Sequence, residues 1–326
     1  MNAEKCKVAC AVDIGGTKTL VGLVTGDGKI ISKKRFETDI TDDPYLHLEK
    51  CIQFLKGCME EQNLNELSIA GFGITVPGLA DSQNGTLIKA PYAGWANVRI
   101  KEFFTHFYSG KSVRIANDAN ACALAELMFG EGKRYRNFIW VTISTGIGVG
   151  IVLNGKVFEG EHGISGELGH TVVDWEHGRQ CTCGNKGCFE AHASGTAIAI
   201  MAKELCLNDS NSQLGKYFHH NNLEITAESV AGAARDGVTQ AGEIYDIAAN
   251  YAGRAFSYAV NIIDPGCIFV GGGVGLSYDL LASGIRGVMQ NMSLSEANRD
   301  IPIIATKLGY DAALLGAASL IWGIDK

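Results

Sequence analysis

The stretch NFIWVTISTGIGVGIVLNGKVFEG, spanning Asn137–Gly160, repeats the plan of VACAVDIGGTKTLVGLVTGDGKII, spanning Val8–Ile31. In each, an apolar strand enters a turn rich in Gly and Thr. A second apolar strand follows, and a Gly-Lys turn leads to a third. Two copies of such a unit imply a duplicated α/β architecture with a cleft between its halves; Gly-rich hairpins also resemble one another by chance. Around the first copy the pattern predicts strands Val8–Ile14, Thr19–Thr25 and Lys29–Glu37 in an antiparallel meander. An amphipathic helix over Pro44–Gln62 follows, with Leu48, Cys51, Ile52, Leu55 and Met59 on one stripe. A strand (Ser68–Thr75), a helix (Val98–Tyr108), a short strand (Val113–Ala116) and a helix (Ala119–Phe129) complete the first half. Beyond Thr196 the chain reads as mainly helical, with a long helix over Gln240–Ile263 ending at Asp264-Pro265. Strands Cys267–Val270 and Ile301–Ala305 and an apolar helix Ala312–Trp322 close it.

At 326 residues the chain has room for two domains, and 46% hydrophobic with 19% charged residues is the composition of a soluble globular protein. A net charge of −7 with no basic cluster argues against nucleic acid or an anionic membrane as partner, yet not against a phosphorylated ligand, which backbone N–H groups can hold. The stretch Phe256–Gly275 comes nearest to a membrane span and is interrupted by Asn261, Asp264 and Pro265. With no export signal visible, Cys51, Cys58, Cys122 and Cys267 read as reduced core thiols, and a cytoplasmic location is expected.

Four motifs carry chemistry. In Asp13-Ile14-Gly15-Gly16-Thr17-Lys18 the glycines let backbone N–H groups close on phosphate oxygens; Thr17 adds a hydroxyl, and Asp13 can hold Mg²⁺ through water. An ordinary hairpin turn is the competing reading. No GxxxxGK[ST] sequence is present, and Gly146-Ile147-Gly148-Val149-Gly150 precedes a strand where a dinucleotide fingerprint requires a helix. Asn117-Asp118 stands between a strand and a helix, where Asp118 reads first as the helix N-cap and second as a general base for a hydroxyl attacking a γ-phosphate. Cys181, Cys183 and Cys188 fall within eight residues, and His170 lies eleven residues before Cys181. Together they read as a tetrahedral Cys₃His zinc site, structural because all four positions are protein ligands. Glu167, His170 and Glu190 flank this cluster and suit hydrogen bonds to vicinal hydroxyls, although Glu and His in loops are more often simply solvated.

Taken together these motifs resemble the ROK family, which contains bacterial sugar kinases and related transcriptional repressors. The resemblance runs in order through DIGGTKT (Asp13–Thr19), GITVPG (Gly73–Gly78), NDANACALAE (Asn117–Glu126), STGIGVGIVLNG (Ser144–Gly155), GELGH (Gly166–His170), CTCGNKGCFE (Cys181–Glu190) and GGGV (Gly271–Val274). It implies a two-domain actin-like ATPase fold, of duplicated ribonuclease H-like type, with ATP and sugar in the interdomain cleft. The smaller domain is expected over residues 1–117 plus about 311–326 and the larger over 118–310. It further implies ATP-dependent phosphorylation of a hexose at its 6-hydroxyl, glucose by default, with N-acetylmannosamine or N-acetylglucosamine as alternatives. Asp118 is the implied base. Gly78, Asn97, Asn117, Glu167, His170 and Glu190 are the implied sugar contacts, His170 with one ring nitrogen on Zn²⁺ and the other toward the sugar. Asp13, Gly15, Gly16, Thr17, Lys18, Thr145, Gly146 and Gly148 are implied around the phosphates with Mg²⁺, and Gly271, Gly272 and Gly273 near the adenosine. A homodimer is expected on the same ground. Family repressors carry a helix-turn-helix before the first phosphate loop; twelve residues precede Asp13, which disfavours that reading.

Overall fold

The computed structural model describes residues 7–40, 43–90, 93–209 and 211–323. In chain order the first elements are β1 (Val8–Ile14), β2 (Lys18–Thr25), β3 (Ile30–Glu37), α1 (Pro44–Glu61), β4 (Ile69–Val76), β5 (Leu79–Asp81), β6 (Thr86–Ala90), β7 (Trp95–Val98), α2 (Ile100–Phe107), β8 (Ser112–Asn117) and α3 (Asp118–Met128). They are followed by β9 (Phe138–Ile143), β10 (Ile147–Leu153), β11 (Lys156–Val157), α4 (Phe189–Ala193), α5 (Gly195–Asn208), α6 (Gln213–Asn221), α7 (Ala227–Arg235) and α8 (Thr239–Ile263). Last come β12 (Ile268–Gly271), α9 (Gly272–Gly275), α10 (Tyr278–Met292), α11 (Glu296–Arg299), β13 (Ile303–Ala305) and α12 (Ala312–Trp322).

One five-stranded sheet has the order β3-β2-β1-β4-β8 and a second the order β11-β10-β9-β12-β13. In the first, β1–β2 and β2–β3 are antiparallel, while β4 pairs parallel with both β1 and β8. In the second, β10–β11 is antiparallel and β12 pairs parallel with both β9 and β13. The strand order therefore repeats, with the first strand of each copy at the sheet centre, as the sequence echo implies. Parallel central strands are covered on both faces, which is why β1 and β4 are almost wholly apolar rather than alternating.

The chain divides into two compact units. Unit 1 comprises Met1–Arg136, Gly150–Ser165 and Asp311–Lys326; unit 2 comprises Asn137–Val149 and Gly166–Tyr310. This division keeps α3 with the first sheet, whereas the sequence reading cuts at Asn117/Asp118. The reason is close packing of small residues. A Cβ on Gly73 of β4 would sit 1.8 Å from the Ala317 carbonyl oxygen, and one on Gly316 would sit 2.7 Å from the Ala121 backbone. Helix α12 thus lies directly on β4 and on α3, an approach only glycine allows. Unit 1 also holds the three-stranded antiparallel sheet β5-β6-β7, which sequence reading missed, taking Val98 as a helix start. Its strands are short and separated by Gly- and Asn-rich turns, so no apolar run announces them. The core of unit 1 centres on Phe72, Phe104, Leu48 and Leu55, all fully buried. In unit 2 the long helix α8 buries Phe256 and Tyr245. It ends at Asp264, whose left-handed backbone (φ 50°) stops it just before Pro265. No helix among the described residues is long and apolar enough to cross a membrane.

Candidate functional site

In unit 1 the turn after β1 is tight. Gly15 N–H donates to the Lys18 carbonyl at 3.0 Å, and Thr38 N–H donates to the Thr17 carbonyl at 3.0 Å. Gly15 N–H is thereby committed inside the turn, while Thr17 and Lys18 stand exposed beside Gly16. Asp13, the penultimate residue of β1, accepts a hydrogen bond from the Thr75 hydroxyl of β4 at 2.8 Å. Burial pushes the Asp13 carboxyl up to about 7; the Thr75 hydrogen bond opposes the rise and the nearby Asp118 charge adds to it. A desolvated acid of this kind is poised to release its proton to a cation. Thr75 lies in the GITVPG motif but was given no role from sequence, and the β1–β4 pairing brings it to Asp13.

The second carboxylate of unit 1 corrects the sequence reading. Asn117, not Asp118, is the N-cap of α3: its backbone is extended and its Oδ1 accepts from Ala119 N–H (2.9 Å) and Asn120 N–H (3.3 Å). Strand β8 runs one residue further than expected, so the cap position falls on Asn117 and Asp118 becomes the first helical residue. Asp118 Oδ1 accepts from Ala119 N–H at 2.9 Å. Asn117 Nδ2 donates to the Gly78 carbonyl at 3.1 Å, which joins two of the predicted sugar contacts. Gly78 (φ 108°) and Asn97 (φ 54°) both occupy left-handed backbone.

In unit 2 the turn between β9 and β10 holds Thr145 and Gly146, whereas Gly148 lies within β10 itself. Ser144 N–H donates to the Gly146 carbonyl at 2.9 Å, and the Thr196 hydroxyl donates to the Thr145 carbonyl at 2.8 Å. Glu190 of α4 reaches this turn: its Oε2 accepts from Ile147 N–H at 2.8 Å, and a Cβ on Gly146 would lie 2.6 Å from that oxygen. The sequence reading assigns Glu190 to a sugar and Gly146 to phosphate; the structure places the two in contact. At the end of β12, Gly272 (φ 78°) packs where a Cβ would come 2.5 Å from the Ile143 carbonyl oxygen, Gly271 lies against Trp140, and Gly273 faces open space.

The four predicted metal ligands come together. One donor atom from each of His170, Cys181, Cys183 and Cys188 lies within 4.8 Å of the others. Cys183 Sγ and Cys188 Sγ are 3.6 Å apart, as are Cys181 Sγ and His170 Nδ1. A disulfide would need about 2.05 Å, whereas a tetrahedron with metal–sulfur bonds of about 2.3 Å has edges of roughly 3.8 Å. The donor set and spacing therefore fit Zn²⁺. Gln180 Nε2 braces the loop by donating to the carbonyls of Cys181, Gly184 and Asn185. With Nδ1 toward the sulfurs, His170 Nε2 points the other way and lies 3.8 Å from the exposed Glu167 carboxylate.

Two sheets of one strand order, each with a Gly/Thr turn after its central strand, define an actin-like ATPase fold of two domains. The profile of the ROK family matches residues 9–323, and the chain belongs to that family. It is 31% identical to the glucokinase of Halalkalibacterium halodurans over 95% of this chain and 93% of that one. A ROK family glucokinase from Streptomyces griseus, solved with glucose and AMPPNP, superposes with a TM-score of 0.81 at 29% identity, covering 96% of this chain and 98% of that one. A ROK family transcriptional regulator, a homolog of the E. coli MLC protein, superposes with a TM-score of 0.86 at 28% identity, covering 97% of this chain and 78% of the regulator.

Proposed function

We propose that this protein is an ATP-dependent hexose kinase that phosphorylates glucose at its 6-hydroxyl. The observation that carries the reading is the pair of carboxylates in unit 1, Asp13 at the end of β1 before the Gly15–Lys18 turn and Asp118 at the start of α3, close enough for the Asp118 charge to act on Asp13. Asp118 takes the proton of the sugar hydroxyl as its oxygen attacks the γ-phosphorus and the bond to the ADP oxygen breaks. Asp13 orients the water shell of the nucleotide's Mg²⁺, which neutralises charge on the phosphoryl oxygens when bound. The exposed Thr17 hydroxyl and Lys18 ammonium, with Gly16, serve the phosphates; Thr145 and Gly146 form the second phosphate turn, with Gly148 just beyond it at the start of β10, and the Gly271–Gly273 run serves the adenosine.

Asn97, Asn117, the Gly78 backbone, Glu167, His170 and Glu190 serve the sugar hydroxyls. Zn²⁺ on Cys181, Cys183, Cys188 and His170 Nδ1 is structural. With Nδ1 held on the metal, His170 would present its Nε2–H as the donor toward sugar. Glucose is favoured over other hexoses by the glucokinase relatives and by the glucose in the Streptomyces griseus structure. The test is a coupled ADP-release assay with Mg-ATP and glucose, N-acetylmannosamine, N-acetylglucosamine, fructose, mannose and allose. The highest kcat/KM on glucose supports the proposal; a higher value on an N-acetylhexosamine reassigns the substrate. Sugar binding by calorimetry without turnover on any sugar moves the protein to the sensor class represented by the regulator.

A further inference from the structure

His47 of α1 is completely buried, and no motif of the site includes it. Its Nε2 lies 2.9 Å from Thr19 Oγ1, Thr19 Oγ1 lies 2.9 Å from Thr38 Oγ1, and Thr38 Oγ1 donates to the Gly15 carbonyl at 2.8 Å. Asp39 N–H donates to His47 Nδ1 at 3.3 Å. These contacts have one consistent direction. A threonine hydroxyl has a single proton. Thr38 gives its proton to Gly15, so Thr19 must donate to Thr38, and Thr19 can then only accept from His47. Nδ1 is an acceptor, so Nε2 carries the hydrogen. The ring is neutral, consistent with burial lowering its proton affinity against the opposing Asp39 charge. The opposite side of the imidazole meets a different segment: Trp95 of β7 lies 5.6 Å away, centroid to centroid, two residues before the left-handed Asn97. Phe36 closes the pocket at 5.7 Å.

We propose that His47 is a positioning residue that sets, from behind, both the Gly15–Lys18 turn and the Gly94–Asn97 segment, and so couples nucleotide and sugar affinity without touching either ligand. The directed chain Nε2–H to Thr19, to Thr38, to the Gly15 carbonyl pins that carbonyl away from the phosphate side of the turn. The Trp95 contact fixes the strand that carries Asn97. This assignment rests on the kinase reading for its ligands, whereas the proton order does not.

The first test is independent of any substrate. ¹⁵N imidazole spectra of the intact protein are expected to show His47 as the neutral Nε2–H tautomer; an Nδ1–H tautomer or a charged ring overturns the chain. The second test is kinetic. Losing one such hydrogen bond corresponds to about a three- to tenfold change. Thr38→Val is expected to raise KM for Mg-ATP by that factor with KM for sugar and kcat nearly unchanged, and Thr38→Ser is expected to restore it. His47→Leu is expected to raise both KM values, whereas His47→Gln, which keeps an N–H near the Nε2 position, should recover most of the nucleotide effect. Equal losses in kcat for all four variants, or no rescue by Thr38→Ser, would reduce the network to core packing. Absence of turnover on every sugar in the unmodified protein removes the kinase reading and leaves the tautomer result standing.

Discussion

The two Gly/Thr turns share a backbone plan and differ in what holds them. Where the first strand of unit 1 ends in Asp13-Ile14, the matching strand of unit 2 ends in Thr142-Ile143. The first turn therefore carries its own acid and is braced by neutral hydroxyls, Thr75 onto Asp13 and Thr38 onto Gly15. The second has no acid of its own, and Glu190 from α4 lends a carboxylate to Ile147 N–H. Duplicating a strand-turn-strand unit reproduces its strand order without reproducing its electrostatics. One turn holds a group that titrates near neutrality; the other is anchored by a charge from a different element.

If this asymmetry divides the labour, changes to the unit 1 carboxylates should act on chemistry and changes in unit 2 on binding. The largest effect is expected for Asp118→Asn: kcat should fall about 10²- to 10⁴-fold. Thermal unfolding should be nearly unchanged, because Asn117 still caps α3. Wild-type kcat in the folded variant would remove the base assignment and with it the contrast. Next comes Cys188→Ala, which deletes a fully buried member of the His170 cluster. Bound zinc, measured by elemental analysis, should fall, and KM for sugar should rise about 10- to 100-fold, more than kcat changes. Unaltered KM in the zinc-depleted protein would separate the cysteine module from sugar binding.

The pH response sharpens the comparison further. Below about 7 Asp13 is protonated, so kcat/KM for Mg-ATP should drop toward about tenfold per pH unit, and Asp13→Asn should flatten the profile at a low level. The stability effect has the opposite sense. Because the folded-state value lies above the ordinary 3.8, the folded protein holds this proton more tightly than the unfolded chain between those limits. The Asp13 contribution to stability is therefore most favourable at acid pH, declines as pH rises through that window, and is flat above about 7. Asp13→Asn should accordingly raise Tm at pH 8 more than at pH 5. The smallest effect is expected for Glu190→Gln, which keeps an oxygen for Ile147 N–H and loses the charge. A fall in kcat/KM of about three- to tenfold is expected, and a loss as large as that of Asp118→Asn would show that the second turn also takes part in chemistry.

Much of the fold was legible in local pattern. The strands around the first Gly/Thr turn, the stripe of α1, the long α8 closed by Asp264-Pro265 and the small-residue helix α12 all lie within a residue or two of their expected bounds, whereas β10 starts at Ile147, inside the glycine run read as preceding a strand at Gly150. The Cys181–Cys188 spacing likewise announced a cluster, since three thiols in eight residues are close in space whatever the remainder of the chain does. The β5-β6-β7 sheet was not legible, because its strands are too short to show a period. The exchange of cap between Asn117 and Asp118 depended on how far the parallel pairing of β4 with β8 extends, and no local propensity records that length.

By itself, then, the sequence determined the repeated strand-turn-strand plan, the order of the motifs and the cysteines of the Cys/His cluster, all properties of neighbours along the chain. Tertiary structure alone decided that Thr75 would meet Asp13, that Glu190 would meet Ile147 and that a histidine on α1 would end a chain of hydroxyls at Gly15. Those contacts join residues 62, 43 and 28 positions apart or link them in series. Their partners are chosen by strand register and by which helix face is buried, so their physical cause is packing rather than pattern.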